Sequence, residues 1–108
     1  MKKTAKFRRN QRFYLNTVEL GLDDALKSFF SRNTGLAQEV CGRDSEVDAL
    51  NRSLIGEVKE RVFAKELAFE AALDLIRVSK NLERIADLST NIAEEATFAA
   101  IGRIIKHQ

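Results

Sequence analysis

The sequence has no proline, only five glycines, one cysteine and one histidine in 108 residues. Each shortage excludes something. A fold of many short strands and tight turns needs more chain-breaking residues than these. The single cysteine, Cys41, rules out an intramolecular disulfide and a cysteine-rich zinc site. The lone histidine, His107, stands one residue from the C-terminus, which argues against histidine-based catalysis and the Glu-x-x-His pairs of di-iron bundles. No apolar run approaches the roughly 20 residues that span a bilayer. The basic N-terminus is not followed by the hydrophobic stretch of a secretory signal. An intracellular, cytoplasmic protein is therefore expected.

What is present is charge and helix-forming residues. Charged residues make up 31% of the chain and hydrophobic ones 44%. With Ala, Leu, Glu, Lys and Arg abundant, this composition predicts one domain of a few long helices. The net charge of +2 conceals an asymmetry: residues 1–12 hold six of the 18 bases and no acid. Residues 13–108 therefore carry 12 bases against 16 acids, a net charge of −4. A basic arm over 1–12 thus precedes a mildly acidic body over 13–108. An acidic body argues against nucleic acid as the partner, and the arm reads as a solvated or helix-extending tail.

Apolar periodicity places three helices. Leu15, Val18, Leu22, Ala25 and Phe29 form one stripe of a helix over about 12–32, weakened by Gly21 by roughly 1 kcal/mol. Asn33-Thr34-Gly35 is the clearest turn and supplies a cap. Leu36, Val40, Val47, Leu50, Leu54 and Val58 predict a second helix over about 35–61. Gly42 is a candidate kink and Asp44 a candidate second cap, but the unshifted register favours one continuous helix. A turn near 62–65 carries no turn residue and is inferred from the need to fold back. The third helix, about 66–105, has a heptad seam of Leu75, Val78, Leu82, Ile85, Ser89, Ile92, Ala96 and Ala99. Short connections between long helices predict an all-α, antiparallel up-down-up three-helix bundle.

Residues four apart share a helix face, so two carboxylates at that spacing can grip one cation. Four acid-x-x-x-Asp pairs occur: Glu19/Asp23, Asp44/Asp48, Glu70/Asp74 and Glu83/Asp87. Roughly one is expected by chance from this composition, and a lone pair of this kind is usually part of a solvated face. Glu83/Asp87 lies beside the third-helix seam, with Asn91 and Glu94 continuing the stripe. Asp44/Asp48 sits next to Val47 and Leu50. Like charges at this spacing destabilise a helix unless a cation or a nearby base, such as Arg52 or Lys80, neutralises them. All-oxygen donors suit a hard cation or iron.

The stretch Leu82-Glu83-Arg84-Ile85-Ala86-Asp87-Leu88-Ser89-Thr90-Asn91-Ile92-Ala93-Glu94 resembles the PhoU family signature, usually written L-E-R-I-G-D-H-A-x-N-I-A-E. Gly42-Arg43-Asp44-Ser45-Glu46-Val47-Asp48-Ala49-Leu50 is similar to the family's second-helix pattern, and the resemblance covers about residues 13–102. It implies a PhoU-like (spectrin-like) three-helix repeat and a non-enzymatic regulator of phosphate transport and phosphate-responsive signalling. The implied partners are a phosphate ABC transporter and a sensor histidine kinase. The resemblance also nominates Asp44, Asp48, Glu83 and Asp87 as ligands for iron or another divalent metal. Asn91 and Glu94 match the signature without being assigned as ligands. Ala86, Leu88 and Ser89 depart from the usual glycine, histidine and alanine, and the leucine removes a polar group beside the presumed metal face. Typical members carry two repeats in tandem where this sequence holds one. Two chains pairing as a homodimer, with part of the set Phe29, Phe30, Phe63, Phe69 and Phe98 buried between them, is one expectation. The other is a cytoplasmic regulatory domain of a sodium–phosphate or cation transporter, near the membrane only through that fusion or a partner.

Overall fold

The computed structural model describes the backbone of residues 2–106 and the side chains of residues 5–102; His107 lies outside them. Helix α1 spans Lys2–Phe30, α2 Thr34–Gly42, α3 Asp44–Phe63 and α4 Phe69–Lys106. No strand occurs among the described residues. Connections of three and five residues fold the chain up, down and up, so α1 and α4 run parallel with α2 and α3 antiparallel to both. The result is an all-α three-helix bundle, a rod of 64 × 22 × 17 Å.

The second helix is not continuous, as the unshifted register had suggested. It breaks at Arg43, the one residue between α2 and α3. Arg43 keeps a right-handed backbone (φ −84°, ψ −5°), and its N–H bonds the carbonyl of Val40, three residues back. The turn tightens for one residue without changing phase, so Val40 and Val47, a heptad apart, both stay buried.

Both connections use the same device. Arg32 (φ 57°) and Lys65 (φ 61°) take the left-handed conformation usual for glycine. After each, the next N–H reaches five residues back, Asn33 to Ser28 (2.9 Å) and Glu66 to Arg61 (2.8 Å). These bonds close α1 and α3. Asn33 then caps α2, its side chain accepting from the Leu36 N–H at 3.1 Å. The unmarked turn near 62–65 is thus a helix C-cap built on lysine.

The core has two compartments. The lower one packs Phe7, Tyr14, Val18, Val47, Leu54 and Val58 against Ala72 and Ala86. The upper one is nearly all small: Ala25, Ala37, Val40, Ala93 and Ala96. Most of the expected α4 seam faces inward: Ser89 and Ala96 are buried, and Leu75, Leu82, Ile85 and Ile92 pack half-buried against the core, joined by Ala72, Ser79, Ala86 and Ala93, one heptad apart each. Val78, assigned to the seam, is 54% exposed. Small residues let α4 approach its neighbours closely, while Leu73, Val78, Leu88 and Phe98 turn outward. On α1 likewise Val18 and Ala25 are buried, while Leu15 and Phe29 are exposed. The basic segment is the start of α1: Phe7 is buried, with the Arg61 guanidinium 4.3 Å from its ring centroid.

Two substitutions test this packing. Ala93 is fully buried in the alanine compartment, so Ala93→Leu is expected to cost about 1–3 kcal/mol by overpacking. A Cβ added at Gly21 meets nothing within 4 Å, so Gly21→Ala should stabilise by about 0.5–1 kcal/mol. Urea unfolding followed by circular dichroism measures both.

Candidate functional site

The four nominated carboxylates lie along the seam where α3 meets α4. Asp44 opens α3 and is half-buried, as is Glu83, while Asp48 and Asp87 are exposed. Their fields overlap. The Asp44 carboxyl is pushed above its ordinary range by burial first, then by Asp48 and Asp87. The Tyr14 hydroxyl is raised by burial, against a lowering hydrogen bond from Ser79, with Glu83 and Asp48 raising it further. Asp48 thus acts on both groups, which ties the two carboxylate pairs into one row. Neither Arg52 nor Lys80 forms an ion pair with it among the described residues. No three His, Cys, Asp or Glu side chains among those residues gather closely enough to hold one metal ion. The row has the right donor chemistry for a hard cation, but it is not a ready-made coordination shell.

Leu88 does not stand beside this row. It is 58% exposed on another face of α4, against Leu26, Phe29 and Phe30 of α1. Its departure from the usual histidine therefore alters an apolar face and leaves the carboxylate row untouched.

Beneath the row lies a polar layer that periodicity did not single out. The buried Tyr14 hydroxyl donates to the Ser79 carbonyl at 3.1 Å. Ser79 Oγ lies 3.3 Å from that hydroxyl and donates to Asn51 Oδ1. One residue from each of α1, α3 and α4 meets there, and all three are buried. The signal was present, because Asn51 and Ser79 occupy core heptad positions with polar side chains. Such a residue is retained where it has a partner.

A second missed pair sits at the helix break. Arg43 Nη1 lies 2.7 Å from the nearly buried Asp24 Oδ2, and a longer contact of 3.7 Å reaches Glu39. Arg43, the neighbour of Asp44 in the chain, is thus committed to α1. Cys41 packs half-buried against the alanine compartment. Its thiol is pushed up by burial, then by Glu94 and Asp44, so it stays protonated and a poor nucleophile.

Uncompensated repulsion makes a prediction about stability. Asp44→Asn should raise the melting temperature at neutral pH by about 1–3 °C, through a few tenths of a kcal/mol of relieved repulsion. The folded pKa of Asp44 lies above its ordinary 3.8, so the native chain holds that proton more tightly than the unfolded chain does. Its stabilising contribution is full below the ordinary value and is lost as pH rises through the folded one. The variant's advantage should therefore vanish by about pH 3.5, in melts run at both pH values. A variant no more stable than its parent at pH 7 would show that the row is not repulsive.

Comparison with known proteins places this geometry in a family. The PhoU domain matches residues 14–96. A protein of Clostridium acetobutylicum, named as a phosphate-specific transport system accessory protein PhoU homolog, is 31% identical over 88 residues. The match takes 82% of this chain and 40% of that protein. PhoU homolog 1 of Thermotoga maritima is 33% identical over 96 residues, 81% of this chain and 39% of the relative. The PhoU homolog of Aquifex aeolicus is 34% identical over 99 residues, 92% and 45% of the two chains. No solved structure matches. The chain spans about two-fifths of the length of the curated relatives it matches. With the family signature, the three-helix bundle and the domain match over 14–96 in agreement, the chain belongs to the PhoU family.

Proposed function

We propose that this protein is a regulatory adaptor of phosphate transport and phosphate-responsive signalling that works through helical surfaces and catalyses nothing itself. The observation that carries the reading is the domain match over 14–96. It is joined to relatives that are named as accessory proteins of a phosphate-specific transport system. The partners in this reading are a phosphate ABC transporter and a sensor histidine kinase, both met from the cytoplasm. Physical features favour it. Among the described residues no helix is long and apolar enough to cross a membrane, so contact with a membrane transporter would be made by its exposed surfaces. The cysteine thiol is held protonated, and the polar core groups are spent on one another.

The carboxylate row enters the proposal as a negative recognition strip. Iron or another divalent metal would bind Asp44, Asp48, Glu83 and Asp87 only if their side chains were drawn together. Elemental analysis decides this part: stoichiometric metal, lost in Asp44→Asn/Asp87→Asn, supports it, and none above background removes it. A homodimer is the assembly proposed with this reading.

Deleting the gene is expected to raise a phosphate-starvation reporter several-fold in phosphate-replete cells, and the 108-residue chain should restore repression. An unchanged reporter, with no transporter or kinase subunit cross-linked to the chain, would overturn the reading.

A further inference from the structure

One long side of the rod, where the parallel helices α1 and α4 lie together, is apolar and open. Leu15 is 50% exposed, Leu26 39% and Phe29 43% on α1; Val78 is 54% and Leu88 58% exposed on α4. Two shallow grooves run along it. Leu15, Leu75, Val78 and Leu82 line the lower groove, with Arg8 and Arg12 among its polar members. Leu26, Phe29, Leu88 and Ile92 line the upper one, where the charged member is Glu95. The same side is thus basic at one end and acidic at the other, with leucine and phenylalanine between.

A surface with that polarity is self-complementary when turned end over end. A two-fold axis perpendicular to the rod would set the lower groove of one copy against the upper groove of its mate. Arg8 and Arg12 would then meet Glu95, and leucines would meet phenylalanines, twice over; this is what an isologous interface requires. A parallel pairing would put arginine on arginine and glutamate on glutamate. The dimensions agree. From Arg8 to Phe30 the helix rises about 33 Å, and the rod is 17–22 Å across. The resulting footprint, roughly 600 Å² per copy, approaches the ~800 Å² per partner of standard interfaces. Exposed apolar area of this extent on one side marks a contact surface.

We propose that a second copy of this chain docks antiparallel across the α1–α4 face, seating Arg8 and Arg12 of each copy against Glu95 of the other around a core of Leu15, Leu26, Phe29 and Leu88. The proposal deepens the homodimer part of the functional reading by naming the face. It can fail alone, because adaptor activity is read in cells and assembly in the tube.

Sedimentation velocity on the full chain at about 10–200 µM is expected to show a dimer. Leu26→Asp/Leu88→Asp should give a monomer with unchanged helical circular dichroism. Arg12→Glu should weaken the dimer about fivefold at low salt, and adding Glu95→Arg should recover the loss. If the aspartate variant fails to fold, cross-linking replaces it. In a Cys41→Ala background, Arg12→Cys and Glu95→Cys chains should form a disulfide-linked pair efficiently only when mixed. A monomer at the highest concentration, a dimer indifferent to the aspartates, or a mixture that links no better than each variant alone would overturn the proposal.

Discussion

The close approach of α4 to the other helices is the constraint on which the rest of the molecule depends. Ala72, Ser79, Ala86 and Ala93 repeat every seven residues along its inner face, and Ala25, Ala37 and Ala96 complete the upper compartment. Alanine and serine give little apolar area each, so this core gains stability from packing density more than from bulk. Leu75, Leu82, Ile85 and Ile92 pack half-buried at the edges of this line of small residues. Larger side chains are displaced to the flanks, where Val78, Leu88 and Phe98 stand exposed. The apolar outer face and the tight inner seam are two results of one choice of residue sizes.

That choice also explains how far the sequence could be read. Helix number, direction and order followed from periodicity and from Asn33, because these depend on local spacing and on one strong cap. Val18, Val40, Val47, Leu54 and Val58 were identifiable as core for the same reason. On the seam of α4 Val78 was misplaced, since hydrophobicity points to it, whereas steric fit adds Ala72 and Ser79 to the shared positions. The break at Arg43 was signalled by Gly42 and Asp44, but a break that costs no phase leaves the register looking continuous. Its determinant, Asp24, lies 19 residues away on another helix. The turn at Lys65 carried no signal at all, because backbone bonds and not a glycine hold its left-handed residue. The carboxylate row could be placed on one seam from the spacing of four, yet whether its oxygens gather round a point depends on rotamers that spacing does not encode.

Electrostatics and apolarity are segregated around the rod. The α3–α4 seam presents acids beside an Arg43 that pairs with Asp24, and the α1–α4 side presents leucines with opposite charges at its ends. The buried layer of Tyr14, Asn51 and Ser79 ties the three helices together at one level. A slip of any helix by one residue would break these bonds as well as bury the wrong side chains. Register is therefore fixed by polar specificity where the small core offers little steric discrimination.

The interruption at Arg43 leaves α2 as a helix of nine residues, shorter than the dozen or so that hold a helical conformation unaided in water. Its persistence rests on Asn33 at one end, the Arg43–Asp24 pair at the other, and the bed of alanines beneath it. Such a segment is a natural unit of local opening. Its amide protons should exchange with solvent through a small excursion, while those of α4 wait for the whole bundle to come apart. The same excursion would free the start of α3, so Asp44 belongs at once to the carboxylate row and to the joint between α2 and α3.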